Sequence, residues 1–160
     1  MGLSHINNEG RANMVDVSDK TDTLRIAEAV GSIHMKKETL ERIINGGIKK
    51  GDVLAVSQVA GIMAAKNTSN IIPMCHPLLL TSVDISFSHD FESCILTVKS
   101  TVSLTGKTGV EMEALTAVNV ALLTVYDMCK AIDKDMIIKE VKLLSKSGGR
   151  SGEYRRDTNG

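Results

Sequence analysis

Tryptophan is absent from this 160-residue chain, and only four aromatic residues occur, Phe87, Phe91, Tyr126 and Tyr154. That leaves no platform on which single-stranded bases could stack, so a nucleobase bound here is held mainly by hydrogen bonds. Net charge is missing too. Nineteen basic side chains balance nineteen acidic ones, and without a basic excess there is no overall polyanion-binding character. Cysteine is limited to Cys75, Cys94 and Cys129, an odd number with no CxxC pair. This argues against a disulfide framework or a cysteine-rich zinc site and suits a reducing compartment. No stretch approaches the ~20 apolar residues of a membrane span, and the polar N-terminus shows no apolar signal region. It also lacks a myristoylation start, since position 6 is Ile rather than Ser or Thr. The expectation is a cytoplasmic protein with neither a membrane nor a nucleic-acid partner.

What is present is ordinary globular material. Apolar residues make up 42% and charged residues 24%, enough to build one core without staples at this length. One domain over residues 1–160 is expected, with polar, Gly-containing ends (1–12 and 148–160) that read as mobile.

Residues 13–17 and 23–35 carry β-branched residues in partial alternation and predict strands, interrupted by Arg25, Glu28 and His34. Lys36 to Asn45 predicts a short helix stopped by Gly46-Gly47. Asp52 is placed to N-cap a second, Ala-rich helix running to Lys66. Thr81 to Phe87 and Ser93 to Ser103 alternate on either side of His89-Asp90, a β-hairpin. From Glu111 to Asp133, the residues Leu115, Val118, Leu122, Val125, Cys129 and Ile132 recur at spacings of three and four, an apolar helical stripe. Met136 to Leu144 alternates as a last strand. The order predicts an α+β, ferredoxin-like sandwich: an antiparallel sheet with helices packed on one face.

Several positions could carry chemistry. The only prolines, Pro73 and Pro77, bracket Met74-Cys75-His76 and stiffen an extended segment that fixes the His76 imidazole for proton transfer or anion binding. A structural turn histidine explains the residue equally well. A metal site is the weaker reading, because adjacent Cys75 and His76 point to opposite sides of an extended chain and no second ligand pair has metal spacing. Lys49-Lys50-Gly51-Asp52 sets a lysine ahead of a helix start, where free N–H groups favour an anion; a solvated turn is the plainer account. Thr105-Gly106-Lys107-Thr108-Gly109 is shaped like the end of a P-loop but fails the motif, because Thr101 stands where the first glycine is required. A Gly-rich turn with lysine can still hold phosphate.

Glu111-Met112-Glu113 opens the long helix, and Asp127 with Lys130 shares one face near its end at i, i+3. Such a pair is commonplace on surfaces. Glu113 and Asp127 are fourteen residues apart, about 21 Å along a helix, so if both act, either the substrate is elongated or the site is built across a subunit interface. Lys142, Lys146 and Arg150 make a basic tail that could close over a polyphosphate, or could simply be solvated.

Met14-Val15-Asp16-Val17-Ser18, Lys50-Gly51-Asp52-Val53, Ala60-Gly61-Ile62, Ile72 to Leu78, Leu104 to Leu115, Tyr126 to Ala131 and Lys146 to Gly149 together closely resemble the cyclic pyranopterin monophosphate synthase family of molybdenum cofactor biosynthesis. The likeness runs from about residue 4 to 152. It implies a lyase that converts 3′,8-cyclo-7,8-dihydro-GTP to cyclic pyranopterin monophosphate with release of diphosphate. It also implies a ferredoxin-like fold and a homohexamer, a trimer of dimers, with interface active sites. By the same likeness Asp127 is catalytic with Lys50 and Lys130 as partners in proton transfer. Met74, Cys75, His76, Met112, Glu113 and Glu111 are substrate-contact positions, with Arg25, Lys66 and Lys146 as further pocket positions. The lysines are expected to have their pKa lowered toward neutrality. Met74 stands where Leu is expected and Arg150 where Lys is usual, both mild departures. No metal or resident cofactor is implied, although Mg²⁺ could accompany the triphosphate. Two alternatives stay open: a non-catalytic purine-triphosphate-binding module, and a scaffold oligomer.

Overall fold

The computed structural model describes residues 6, 7, 9–150 and 152–157; the rest of the two ends expected to be mobile lies outside the described residues. Strand β1 (Thr23–His34) leads to helices α1 (Lys37–Ile44), α2 (Val53–Lys66) and α3 (Thr68–Ile71). The hairpin β2 (Ser82–Asp90) and β3 (Ile95–Gly106) follows, then α4 (Glu111–Cys129), β4 (Ile137–Ser147) and β5 (Tyr154–Arg155). The sheet order is β2-β3-β1-β4-β5, with every neighbouring pair antiparallel. This is the expected α+β ferredoxin-like architecture.

Alternation decides which face is covered. In β1 the odd-numbered Ala27, Ala29 and Ile33 are fully buried, as are Leu96, Val98 and Val102 at even positions of β3. Since Ala27 is paired with Val102 and Ala29 with Ser100, these side chains share one face of the sheet. Helix α4 lies across that face. Its Ala114, Ala117, Val118, Ala121, Leu122 and Val125 are fully buried, so truncating a side chain such as Leu122 costs about 2–5 kcal/mol. By length and composition α4 is apolar enough to cross a membrane, but here its apolar stripe is spent on the core. Helix α2 packs outside α4, and Gly61 lets it come close: a Cβ there would overlap the Ile85 side chain and lie 2.9 Å from the Ala117 carbonyl oxygen.

Local details follow the sequence with corrections. Asp52 caps α2, accepting the Ala55 N–H at 3.0 Å. Ile72 is extended (φ −104°, ψ 107°), as its place before Pro73 requires. Residues 13–17 are not a strand; their backbone has no ladder partner, and the segment is tied down by side-chain contacts described below. Helix α4 stops at Cys129 rather than Asp133, and the chain leaves it through a turn in which the Ile132 N–H reaches the Cys129 carbonyl three residues back. The hairpin turn falls at Phe91–Cys94, later than His89-Asp90, where the Asp90 carboxylate accepts the Glu92 N–H and the Ser93 hydroxyl. Helix α3 and the two-residue strand β5, paired to Ser145 and Lys146, had no visible signal in the sequence.

Candidate active site

The two ends of α4 carry two separate groups of polar side chains. At its N-terminal end, a cleft of about 490 Å³ is lined by Met74, Cys75 and His76 from the segment before β2 and by Glu111, Met112 and Glu113 from the first turn of α4. Six residues picked out from the sequence therefore meet around one space. Val15 and Val17 close another side of it. The His76 Nε2 lies 2.8 Å from the Val15 carbonyl oxygen. A carbonyl can only accept, so Nε2 carries the hydrogen, and Nδ1 is the ring nitrogen left to gain or lose a proton. This bond also pins the segment that the sequence suggested was a strand.

Glu113 is 4% exposed. Burial, reinforced by the neighbouring Glu111 charge, pushes its carboxyl up from the ordinary value of 4.5 to about 7. It is therefore poised between neutral and charged near physiological pH. Burial next to Glu113 also pushes the Cys75 thiol up, so Cys75 acts here as a small, protonated wall of the cleft rather than a nucleophile.

Charge of the opposite sign gathers beside this cleft. Lys146 of β4 pairs with Glu111 at 3.0 Å. Arg25 is buried and donates from Nε to the Gly106 carbonyl (3.2 Å) and from Nη2 to the Lys107 carbonyl (3.3 Å). With Lys20, Thr21, Thr23, Gly149 and Arg150 it lines a smaller cavity of about 260 Å³. Gly149 has φ +75°, and a Cβ on it would run into the Arg25 guanidinium, so the chain passes directly over that group. Lys107 anchors the loop before α4 by donating to the Ser18 carbonyl at 2.8 Å. Lys66 is not brought into this group. It lines a separate groove of about 460 Å³ with Ile62 and Leu78–Val83.

At the other end of α4, Asp127 stands between two ammonium groups: Lys130 Nζ is 2.6 Å from Oδ1, and Lys50 Nζ is 3.1 Å from Oδ2. Lys50 also donates to the Asp127 carbonyl oxygen at 2.8 Å, one of the terminal acceptors that a helix leaves without an internal partner. Hydrogen bonds from Lys130 and then Lys50 hold the Asp127 carboxyl below the usual carboxylate range, and the same bond pushes Lys130 up. The expected lowering of Lys130 toward neutrality is thus reversed in the free chain, because a carboxylate rather than a second cation is its nearest neighbour. All three groups are on the surface of one protomer.

Lys50 and Asp127 belong to the same protomer, so a subunit interface is not needed to bring those two together. What lies apart is the cleft and the triad, separated by the fourteen-residue interval that spans about 21 Å of helix. Lys20 was not singled out from the sequence, being one lysine in a polar loop. Among the described residues no group of three His, Cys, Asp or Glu side chains is placed to hold a metal ion.

Comparison with known sequences gives a consistent result. The profile of the MoaC family matches residues 14–149. A cyclic pyranopterin monophosphate synthase of Thermoanaerobacter sp. (strain X514) is 68% identical over 157 residues, covering 98% of this chain and 99% of the relative. Proteins of the same name from Clostridium acetobutylicum and Bacillus subtilis (strain 168) are each 59% identical. The first match covers 96% of both chains, the second 98% of this chain and 93% of the relative.

Proposed function

The chain belongs to the MoaC family, and from that premise we infer that it is an enzyme, a cyclic pyranopterin monophosphate synthase acting in molybdenum cofactor biosynthesis. Its substrate is the tricyclic 3′,8-cyclo-7,8-dihydro-GTP. Protons move while a five-membered ring opens and the pterin ring closes. A ribose-derived hydroxyl then attacks the α-phosphate, the new P–O bond forms, and the bond to the β-phosphate breaks with diphosphate leaving.

The observation that carries this reading is the Lys50–Asp127–Lys130 triad, two ammonium groups sharing one carboxylate at 3.1 and 2.6 Å. Asp127 orients both. Lys130 enters the reaction protonated, since its partner stabilises the charged form, and becomes a base only after giving up its proton. In the cleft, His76, Met112 and Glu113 contact the base and ribose, with Glu113 able to accept or donate near neutrality. Arg25, Lys146 and the Gly-rich turns neutralise the triphosphate. Any Mg²⁺ travels with the phosphates rather than as a resident cofactor.

A second protomer completes the site. Val56, Val59 and Met63 of α2 and Leu123 of α4 are between 45% and 57% exposed, apolar side chains that a second copy of the chain would cover. Leu123 lies one turn before Asp127 on the same side of α4. A copy seated over these side chains would set its own cleft against this triad, and the homohexamer built as a trimer of dimers supplies such copies. Lys66 lines a groove that shares Leu78 with the cleft, from which it serves the triphosphate. The free state of all three cysteines supports a reducing, cytoplasmic setting.

The test is incubation of the purified protein with 3′,8-cyclo-7,8-dihydro-GTP, following diphosphate release and pterin fluorescence. Conversion to cyclic pyranopterin monophosphate is expected. Binding of GTP without conversion of the cyclic compound would favour a nucleotide-binding module. Loss of assembly rather than activity in Lys50→Ala would favour a scaffold.

A further inference from the structure

Asp133 lies beyond the end of α4, outside both groups described above, and its side chain has no solvent exposure. A carboxylate buried this completely must be held by hydrogen bonds, and here the donors come from a remote helix. Oδ2 accepts the Lys36 N–H at 2.8 Å and the Thr39 hydroxyl at 3.1 Å, while Oδ1 accepts the Asp135 N–H at 3.2 Å and faces the Lys36 ammonium at 3.8 Å. Burial pushes the group up, but these bonds outweigh it and hold the carboxyl below the usual range. Helix α1 has no side-chain cap of its own at Lys36. Asp133 supplies that cap from a position 97 residues later in the chain.

The consequence is geometric. Helix α1 is eight residues long, too short to stand alone in water, and is held by Leu40 and Ile43 in the core plus this cap. Its far end turns through the Gly47 N–H to Arg42 carbonyl bond and runs directly into Ile48, Lys49 and Lys50. On the other side of the tie, Asp133 is only three residues past Lys130, with its own N–H bonded to the Cys129 carbonyl. The buried Cys129 thiol feels both the Asp133 charge and the Lys50 charge, so the tie and the triad flank the same residue. The segment carrying Lys50 and the segment carrying Asp127 and Lys130 are thus fastened to each other through one buried carboxylate.

We propose that Asp133 is a positioning residue for the reaction: by capping α1 from the turn after α4, it sets Lys50 against Asp127 and Lys130. This rests on the catalytic reading of the triad. Without the tie, α1 keeps its core anchors but loses the docking of its first turn. The Lys50 ammonium then wanders from a contact in which a displacement of ~1 Å can cost about a hundredfold in rate. Substrate binding in the cleft, at the far end of α4, is left alone.

The test compares wild type, Asp133→Ala, Asp133→Asn and Thr39→Val in steady-state conversion of the cyclic substrate, at a temperature where circular dichroism and gel filtration show folded, assembled protein. Asp133→Ala is expected to lower kcat at least tenfold with KM within about twofold of wild type. Asp133→Asn should be less impaired than Asp133→Ala, because its amide oxygen still accepts from Lys36 and Thr39 while its NH2 group is set against the Asp135 N–H. A folded Asp133→Ala protein with wild-type kcat, or an Asn variant as impaired as Ala, would overturn the proposal. If Asp133→Ala does not fold, Thr39→Val decides: a lower kcat at unchanged KM supports the tie, and an unchanged kcat refutes it. Should wild type itself fail to convert the substrate, the catalytic reading falls. The tie is then judged by NMR of the Lys50 ε-methylene, which shifts in Thr39→Val if Lys50 is released and stays in place if it is not.

Discussion

Glu113 and Asp127 are carboxylic acids on one helix, fourteen residues apart, and their surroundings treat them in opposite ways. Glu113 is buried in the first turn, where the helix dipole favours a negative charge, yet loss of water dominates and its carboxyl titrates at about 7. Asp127 sits in the last turn, where the dipole disfavours it, and two ammonium groups in the open more than compensate. One end of α4 is thereby a proton store near neutrality inside a cleft. The other is a fixed charge pattern on a surface. The cleft has shape without paired ammonium groups, and the triad has those groups without walls.

The largest expected effect removes the ammonium groups. Lys50→Ala or Lys130→Ala should lower diphosphate release by about 10²–10⁴-fold, the range for losing a proton-transfer group. Thermal midpoints should change little, because the pairs are exposed. Near-normal turnover in either variant would mean that the triad is only a surface ion-pair cluster.

Glu113 sharpens the contrast from the other side. Its folded pKa is raised, so the protonated form is the one the fold prefers. The stability tied to it is full below about 4.5 and declines as pH rises through about 7. Urea titrations from pH 4 to 8 should show wild type losing roughly 3 kcal/mol from this group, an upper figure, while Glu113→Gln stays flatter over the same window. Parallel curves for the two proteins would show that burial does not govern this carboxyl. A smaller effect is expected at Asp52. Its Ala variant loses the cap of α2 and about 1 kcal/mol of stability, read from the urea midpoint, with turnover close to normal although Lys50 is two residues away.

The legible parts of this molecule were those written in local patterns. Alternation in 23–35 and 93–103, the three-and-four stripe of α4 and the Asp52 cap each report on neighbours within a few residues, and the sheet and helices followed from them. Met74-Cys75-His76 and Glu111-Met112-Glu113 were marked by prolines and by the start of a helix, and they meet at one cleft. Residues 13–17 misled because their β-branched pattern serves a loop pinned by His76. The two-residue β5 was too short for a periodic signal. Asp133 was invisible for a physical reason: its donors Lys36 and Thr39 are 97 and 94 residues away, and no spacing rule connects them. Arg25 was placed in a pocket, but the sequence could not show that its guanidinium donates to the backbone carbonyls of Gly106 and Lys107. The titration of Lys130 was misjudged because the Asp127 carboxylate beside it pushes its pKa up rather than down.

The central claim is that catalysis needs the cleft of one protomer and the triad of another. It is tested most directly by mixing His76→Ala protein, with an intact triad, and Lys130→Ala protein, with an intact cleft, under conditions that reshuffle subunits. Random pairing in a symmetric oligomer should restore roughly a quarter of wild-type turnover at equal mixing. A Lys50→Ala and Asp127→Ala mixture should restore none, because both residues belong to one protomer's triad and no subunit of the mixture carries an intact one. Reshuffled His76→Ala and Lys130→Ala oligomers that remain as inactive as their parents would contradict the account.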